Sequence, residues 1–152
     1  MTTATETIAD LTVQLDDGRT VQLSDLADDG YLVVFFYPKA FTGGCTAQAC
    51  HFRDLGAEFA EVGASRVGVS RDDLDTQARF SAKHGFDFPL IADPDGSVAK
   101  AFGARRMGPI PSKRQTVVLG PDLRVLLRIS SETNMDVHAD DALAYLREQQ
   151  AS

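Results

Sequence analysis

The two cysteines of this 152-residue chain, Cys45 and Cys50, stand five positions apart in the stretch FTGGCTAQAC, residues 41–50, with Pro38 just ahead of it. A cysteine in the first turn of a helix lies among unpaired backbone N–H groups at the positive end of the helix dipole, and both favour thiolate over thiol. The spacing of apolar residues downstream predicts a helix whose first turn holds Cys45. Thr42, three residues earlier, can cap that helix or aim its hydroxyl at the sulfur. Pro38 stiffens the approach and limits water, while Gly43 and Gly44 allow the backbone to come close to whatever lies over the thiol. Together these residues describe an activated nucleophile facing a pocket.

Cys50 sharpens the chemistry. Within an intact helix, five residues give a rise of about 7.5 Å and a rotation of roughly 140°, so the two Cα atoms stand on the order of 8.6 Å apart. A disulfide wants Cα atoms within roughly 7 Å and converging side chains. Cys45 shares a stripe with Phe52 and Phe59 and is expected to face inward, whereas Cys50 falls near the opposite face. Joining the thiols therefore requires the first turns of the helix to unwind, one conformation for each redox state.

The elements that must position this stretch follow from patterning. Residues 12–15 and 19–23 read as strands across an Asp16-Asp17-Gly18 turn, and Ser24 is placed to cap a short turn ending near Gly30. The run YLVVFFY, residues 31–37, is apolar on both faces and suits a strand in the middle of a covered sheet. Pro38 ends it. Phe52, Leu55, Phe59 and Val62 recur at helical spacing, which predicts one helix over 46–62 despite Gly56, at a cost of about 1 kcal/mol. A strand over 66–70, a helix over 73–84 stopped by Gly85, a strand around 88–91 and a short helix near 97–102 come next. Residues 103–113 read as a loop. A hairpin, 114–119 and 123–129 around Gly120-Pro121-Asp122, precedes a last helix over about 137–149. This order implies an α/β architecture with a mixed central sheet flanked by helices, and the length implies one domain over 1–152. Functional groups in open α/β sheets gather beyond the carboxyl ends of the strands, where the segment after Tyr37 lies.

Composition narrows the partners. A formal charge of -7 with scattered basic residues leaves no footprint for nucleic acid or an anionic membrane. The longest apolar run is far short of a membrane span, and the N-terminus MTTATETIAD lacks the regions of a signal peptide. A cytoplasmic protein is expected, and there two cysteines serve catalysis or redox sensing more often than structure. Cys45, Cys50 and His51 match no usual zinc spacing and lack a fourth ligand nearby, so no metal is expected. No Gly-rich phosphate loop followed by Lys-Ser or Lys-Thr occurs. His51 reads as a solvated or hydrogen-bonded helix residue, His84 as a helix-end residue where a cation is favourable, and His138 has no evident task. Arg53 either braces the cysteine site or forms a surface ion pair.

The run FFYPKAFTGGCTAQACHFRD resembles the active-site stretch of the peroxiredoxins, in particular the peroxiredoxin Q or bacterioferritin comigratory protein group. Pro38, Thr42 and Cys45 stand where that family has its P-x-x-x-T-x-x-C motif. VGVSRD at 67–72, FPLIAD at 88–93, FGA at 102–104 and RQTVVLG at 114–120 have counterparts in the same order, so the resemblance covers nearly the whole chain.

The resemblance implies a thioredoxin-like fold and reduction of hydrogen peroxide or alkyl hydroperoxides without metal or organic cofactor. It implies that Cys45 is the peroxidatic cysteine, that Cys50 is the resolving cysteine found in the same helix in some members, and that Arg114 supports the thiolate and the peroxide oxygens. It implies a catalytic part for Thr42 and Pro38, recycling by thioredoxin or a similar dithiol, and a monomer, with a dimer as the alternative. Two positions depart from the pattern: Gly43 stands where most relatives have proline, and Gln48 where many have glutamate. Gln48 accepts hydrogen bonds but cannot pair ionically with an arginine. Two other functions compete on the residues alone: a disulfide oxidoreductase, for which the C-x-x-C motif is absent, and a redox sensor or holdase that presents apolar surface when its helix unwinds.

Overall fold

The computed structural model describes residues 6–27, 30–104, 113–132 and 134–151. The predicted loop over 103–113 therefore lies mostly outside the described residues. β1 (Thr12–Leu15) and β2 (Thr20–Gln22) form the first hairpin, followed by α1 (Leu23–Ala27) and β3 (Tyr31–Phe36). Then come α2 (Gly43–Asp54), α3 (Gly56–Glu61), β4 (Ala64–Ser70), α4 (Leu74–His84) and β5 (Leu90–Ala92). α5 (Ser97–Phe102), β6 (Gln115–Leu119), β7 (Val125–Ser130) and α6 (Asp136–Ala151) complete the order.

The strands join in a seven-stranded mixed sheet, β2-β1-β5-β4-β3-β6-β7. β3 lies between β4, parallel to it, and β6, antiparallel to it. Its uninterrupted apolar run is explained by this place, because alternate side chains enter two different cores. Leu32, Val34 and Phe36 pack with Leu23, Ala27, Val98 and Phe102 on one face. Val33, Phe35 and Tyr37 pack with Cys45, Phe52, Phe59, Phe80 and Leu146 on the other. Among the described residues no helix is long and apolar enough to cross a membrane.

Two local expectations are corrected. Ser24 lies inside α1 and does not cap it through its own side chain; its N–H and hydroxyl both donate to Asp10, while Asp25 accepts from the Gln22 N–H. The single helix expected over 46–62 is two helices that meet at Leu55. The cause is tertiary. Arg66 donates from Nη1 to the Phe52 carbonyl at 2.7 Å, the acceptor that a continuous helix would offer to the Gly56 N–H. The Arg66–Asp87 pair approaches so closely that a Cβ at position 56 would sit 2.8 Å from Asp87 Oδ2 and 3.1 Å from Arg66 Nη2. A side chain at position 56 would therefore have to push the Arg66–Asp87 pair aside. α4 matches its sequence signals: Asp73 accepts from the Thr76 N–H as N-cap, and Gly85 closes the helix in the left-handed conformation, φ 62°.

Candidate active site

β3 delivers the chain to Tyr37 at its carboxyl end, and residues 38–42 turn it into α2. The antiparallel register that pairs Phe36 with Gln115 places Arg114, just ahead of β6, at that same end of the sheet. Local folding on one side and long-range pairing on the other thereby bring Arg114 to Cys45.

Cys45 is the third residue of α2 and is 1% exposed. Two donors reach its sulfur. The Lys39 main-chain N–H lies 3.5 Å from Sγ, and Arg114 Nη1 approaches to the same 3.5 Å. Arg114 Nη1 also donates to Gln48 Oε1 at 2.6 Å, and Gln48 Nε2 donates to the Phe36 carbonyl at 3.4 Å. Gln48 is fully buried, so the residue that departs from the family pattern is the one that orients the arginine. The Arg114 main-chain N–H donates to Glu132 Oε2. Its Nε, buried, finds no partner among the described residues. Beside it Gly44 leaves room: a Cβ there would lie 3.3 Å from Arg114 Nη2 and 3.4 Å from Met135 Sδ.

Thr42 occupies the N-cap of α2 in an extended conformation, and its carbonyl accepts from the Thr46 N–H. Of the two sequence alternatives for its hydroxyl, neither is adopted. It donates to the Lys39 carbonyl at 2.8 Å, closing the 38–42 turn on itself. Pro38 is half-buried at the start of that turn. Both cysteines are free thiols; Cys50, unlike Cys45, is partly exposed.

The remaining candidates resolve into structural partners. His51 Nε2 pairs with Asp140 at 2.7 Å, and among the described residues no group of three or more His, Cys, Asp and Glu is arranged to hold a metal ion. Arg53 pairs with Asp54 and donates to the His84 carbonyl, away from the Cys45 sulfur. His84 is pushed below the usual imidazole range, first by burial and then by nearby Lys83 and Arg53. His138 is fully buried, with Nε2 on the Ser131 carbonyl and Nδ1 on the Thr116 hydroxyl. Because the carbonyl can only accept, Nε2 carries the proton and Nδ1 accepts from Thr116. Burial lowers its pKa and so favours the neutral imidazole.

Sequence reasoning missed the Lys39 N–H, Glu132 and Met135. Two are contributed by neighbours remote in sequence, and a backbone donor leaves no side-chain signature.

The AhpC/TSA family matches this chain over residues 4–127. Peroxiredoxin Bcp of Xanthomonas campestris pv. campestris is 35% identical over 144 residues, covering 91% of this chain and 89% of the relative. The crystal structure of peroxidoxin BcpB from Mycobacterium tuberculosis superposes with a TM-score of 0.91 at 50% identity, over 97% of this chain and 98% of that one. The bacterioferritin comigratory protein of Xanthomonas campestris, solved in work on its alkyl peroxide reduction, gives 0.82 at 34% identity over 91% of each chain. The buried thiol held by a backbone N–H and an arginine beyond a central strand thus sits in a thioredoxin-like fold, and the chain belongs to the AhpC/TSA family as a peroxiredoxin of the peroxiredoxin Q group, a thiol-dependent peroxidase.

Proposed function

We propose that Cys45 is the nucleophile that attacks the peroxide and Cys50 the thiol that resolves it within the same chain. The observation that carries this reading is the pair of donors, Lys39 N–H and Arg114 Nη1, each 3.5 Å from a sulfur that is otherwise buried. Both stabilise negative charge on sulfur without reorganising during the reaction. The thiolate attacks one peroxide oxygen, the O–O bond breaks, and the distal oxygen leaves with a proton as water or an alcohol, so that Cys45 becomes a sulfenic acid. Arg114 Nε, a buried donor with no partner among the described residues, is available to a peroxide oxygen while Nη1 stays with Gln48 and the sulfur. Once the peroxide is bound, Thr42 acts at the oxygens by turning its hydroxyl from Lys39, and Pro38 shields the sulfur from water. Cys50 then displaces water from the sulfenic acid, forming a disulfide that an external dithiol reduces.

Partial exposure of Cys50 and burial of Cys45 support a resolving step gated by unwinding of α2. Hydrogen peroxide and alkyl hydroperoxides are the substrates, thioredoxin or a similar dithiol protein is the reductant, and no cofactor enters any step. Residues 1–152 work as one domain, as a cytoplasmic monomer. The test is stopped-flow oxidation of the reduced protein by stoichiometric hydrogen peroxide, with thiol counting and mass spectrometry. Wild type is expected to lose two thiols rapidly, Cys50→Ser to stop at sulfenic acid, and Cys45→Ser to lose fast oxidation. A wild type that reacts no faster than free cysteine refutes the reading.

A further inference from the structure

The turn that presents Cys45 is held from outside, by the loop that follows β4. Asp72 Oδ2 accepts the Ala40 main-chain N–H at 2.7 Å and the Ser70 hydroxyl at 2.6 Å, and the Asp72 N–H reaches back to Ser70 Oγ at 3.3 Å. Ser70 is fully buried at the end of β4, so the carboxylate is fixed to the sheet. The Ala40 N–H is the next along the chain from the Lys39 N–H that touches the sulfur.

This turn needs an external hold, because Phe41 adopts φ +66°. For a bulky residue the left-handed region is strained and persists only where surroundings over-determine it. Two neighbours from α4 supply part of the restraint: the Phe41 ring packs on Phe80 with centroids 5.1 Å apart, and Lys83 Nζ lies 5.9 Å from the Phe41 ring centre. With the ring still 42% exposed, that packing is incomplete. The charged bond from Asp72 to Ala40 supplies the directional part. It is the contact that sets which way the adjacent peptide points.

We propose that Asp72 is a positioning residue of the peroxide reaction: by holding the Ala40 N–H it aims the Lys39 N–H at the Cys45 sulfur and keeps the strained turn closed over the first turn of α2. This rests on Cys45 being the nucleophile. Asp72 touches neither the sulfur nor, by its place behind the turn, the peroxide. It acts through two consecutive peptides, and its loss lets the turn relax at Phe41.

Hydrogen-bond acceptance and charge are separable at this position. In Asp72→Asn the Oδ1 atom can still accept both the Ala40 N–H and the Ser70 hydroxyl, whereas Asp72→Ala removes the acceptor altogether. Asp72→Ala is expected to lose roughly tenfold in kcat/KM for hydrogen peroxide, the scale of one lost hydrogen bond. Asp72→Asn should stay within about twofold of wild type by the same reasoning, and KM for the reducing dithiol should be unchanged in both. Hydrogen exchange of the Ala40 amide in the reduced wild-type protein reads the contact directly and should show protection that Asp72→Ala loses and Asp72→Asn keeps. An Ala variant oxidised at the wild-type rate, an Asn variant as slow as Ala, or an unprotected Ala40 amide in wild type each overturns the proposal. Should Cys45→Ser consume peroxide as fast as wild type, the assignment of the nucleophile falls, and this proposal with it. If instead Cys45 proves to be the nucleophile while any of the three results above appears, only the role of Asp72 falls.

Discussion

The two ends of α2 are held in different ways. At the C-terminal end the Phe52 carbonyl accepts from Arg66 at 2.7 Å, Arg53 donates to the His84 carbonyl at 2.7 Å, and the Phe52 ring stacks on Phe35 with centroids 4.2 Å apart. At the N-terminal end Thr42 makes no side-chain cap, a Cβ at Gly43 would touch no described residue within 4 Å, and Cys45 is met by two contacts at 3.5 Å. One end is clamped by Arg66 from β4, by Arg53 of the helix itself and by core aromatics, while the other is closed by a strained turn that Asp72 holds from outside. A helix built this way is expected to open from one end, and Cys50 lies on its clamped side of Gln48. On the proposed mechanism, this asymmetry would let Cys45 leave its pocket while the core beneath Phe52 stays packed.

The largest test breaks the clamped end. Arg66→Met keeps the bulk of a side chain that is only 9% exposed but removes the bonds to Phe52 and Asp87. Asp87, whose carboxyl is held below the usual range chiefly by Arg66, loses its partner as well, though its exposure limits that share. The buried carbonyl left unpaired sets the cost at about 2 kcal/mol, read as a lower urea midpoint. Because no contact at the Cys45 sulfur involves Arg66, peroxide oxidation should stay within about twofold of wild type at temperatures well below unfolding. A tenfold loss of rate would show that the two ends are coupled and the contrast is false.

What the sequence revealed and what it concealed divide along the same line. Residues whose environment is local were legible: the Gly85 that stops α4, the bounds of α5, the doubly covered β3, the first-turn place of Cys45. The break at Leu55 was not, because Arg66 and Asp87 come from elements later in the chain and their approach is invisible to helical periodicity. Arg114 was singled out only through the resemblance, since nothing in its own neighbourhood marks it. Its setting depends on the register of β6 against β3. The Thr42 hydroxyl was misjudged for a smaller reason: within a tight turn a nearby carbonyl competes with both the helix N-terminus and the sulfur.

A second test acts behind the opening end. His138 ties β6 through Thr116 to the Ser131 carbonyl, next to the Glu132 that holds the Arg114 backbone. Burial lowers its pKa in the folded protein below the ordinary value of 6.5. Between the folded and unfolded values the unfolded chain binds more protons, so this contribution is complete above the unfolded pKa and falls as pH drops through 6.5 toward the folded value. One such group gives a slope of at most about 1.4 kcal/mol per pH unit. Urea midpoints measured from pH 7.5 down to 5 should fall more steeply in wild type than in His138→Gln. Equal slopes would mean that the imidazole does not stay neutral in the fold.

The gentlest change addresses the opening end itself. Gly43 is the first residue of α2, where the N–H has no intrahelical acceptor and proline is well tolerated. Thr42 ahead of it has φ −82° and ψ 155°, which a residue before proline prefers, and no described residue lies within 4 Å of a Cβ at position 43. Gly43→Pro should therefore fit without strain and stabilise the folded helix by about 0.4–1 kcal/mol, chiefly by removing freedom from the unwound chain. The unwound chain is also the state in which Cys45 can meet Cys50. The same free energy predicts that disulfide formation slows about twofold to fivefold while the initial attack on peroxide is unchanged. With excess peroxide the slower resolution would expose the sulfenic acid for longer, and over-oxidised Cys45 should accumulate in mass spectra of the variant before it does in wild type. If disulfide formation keeps its wild-type rate, opening of the first turn is not what limits it, and the strained turn at this end of α2 has some purpose other than resolution.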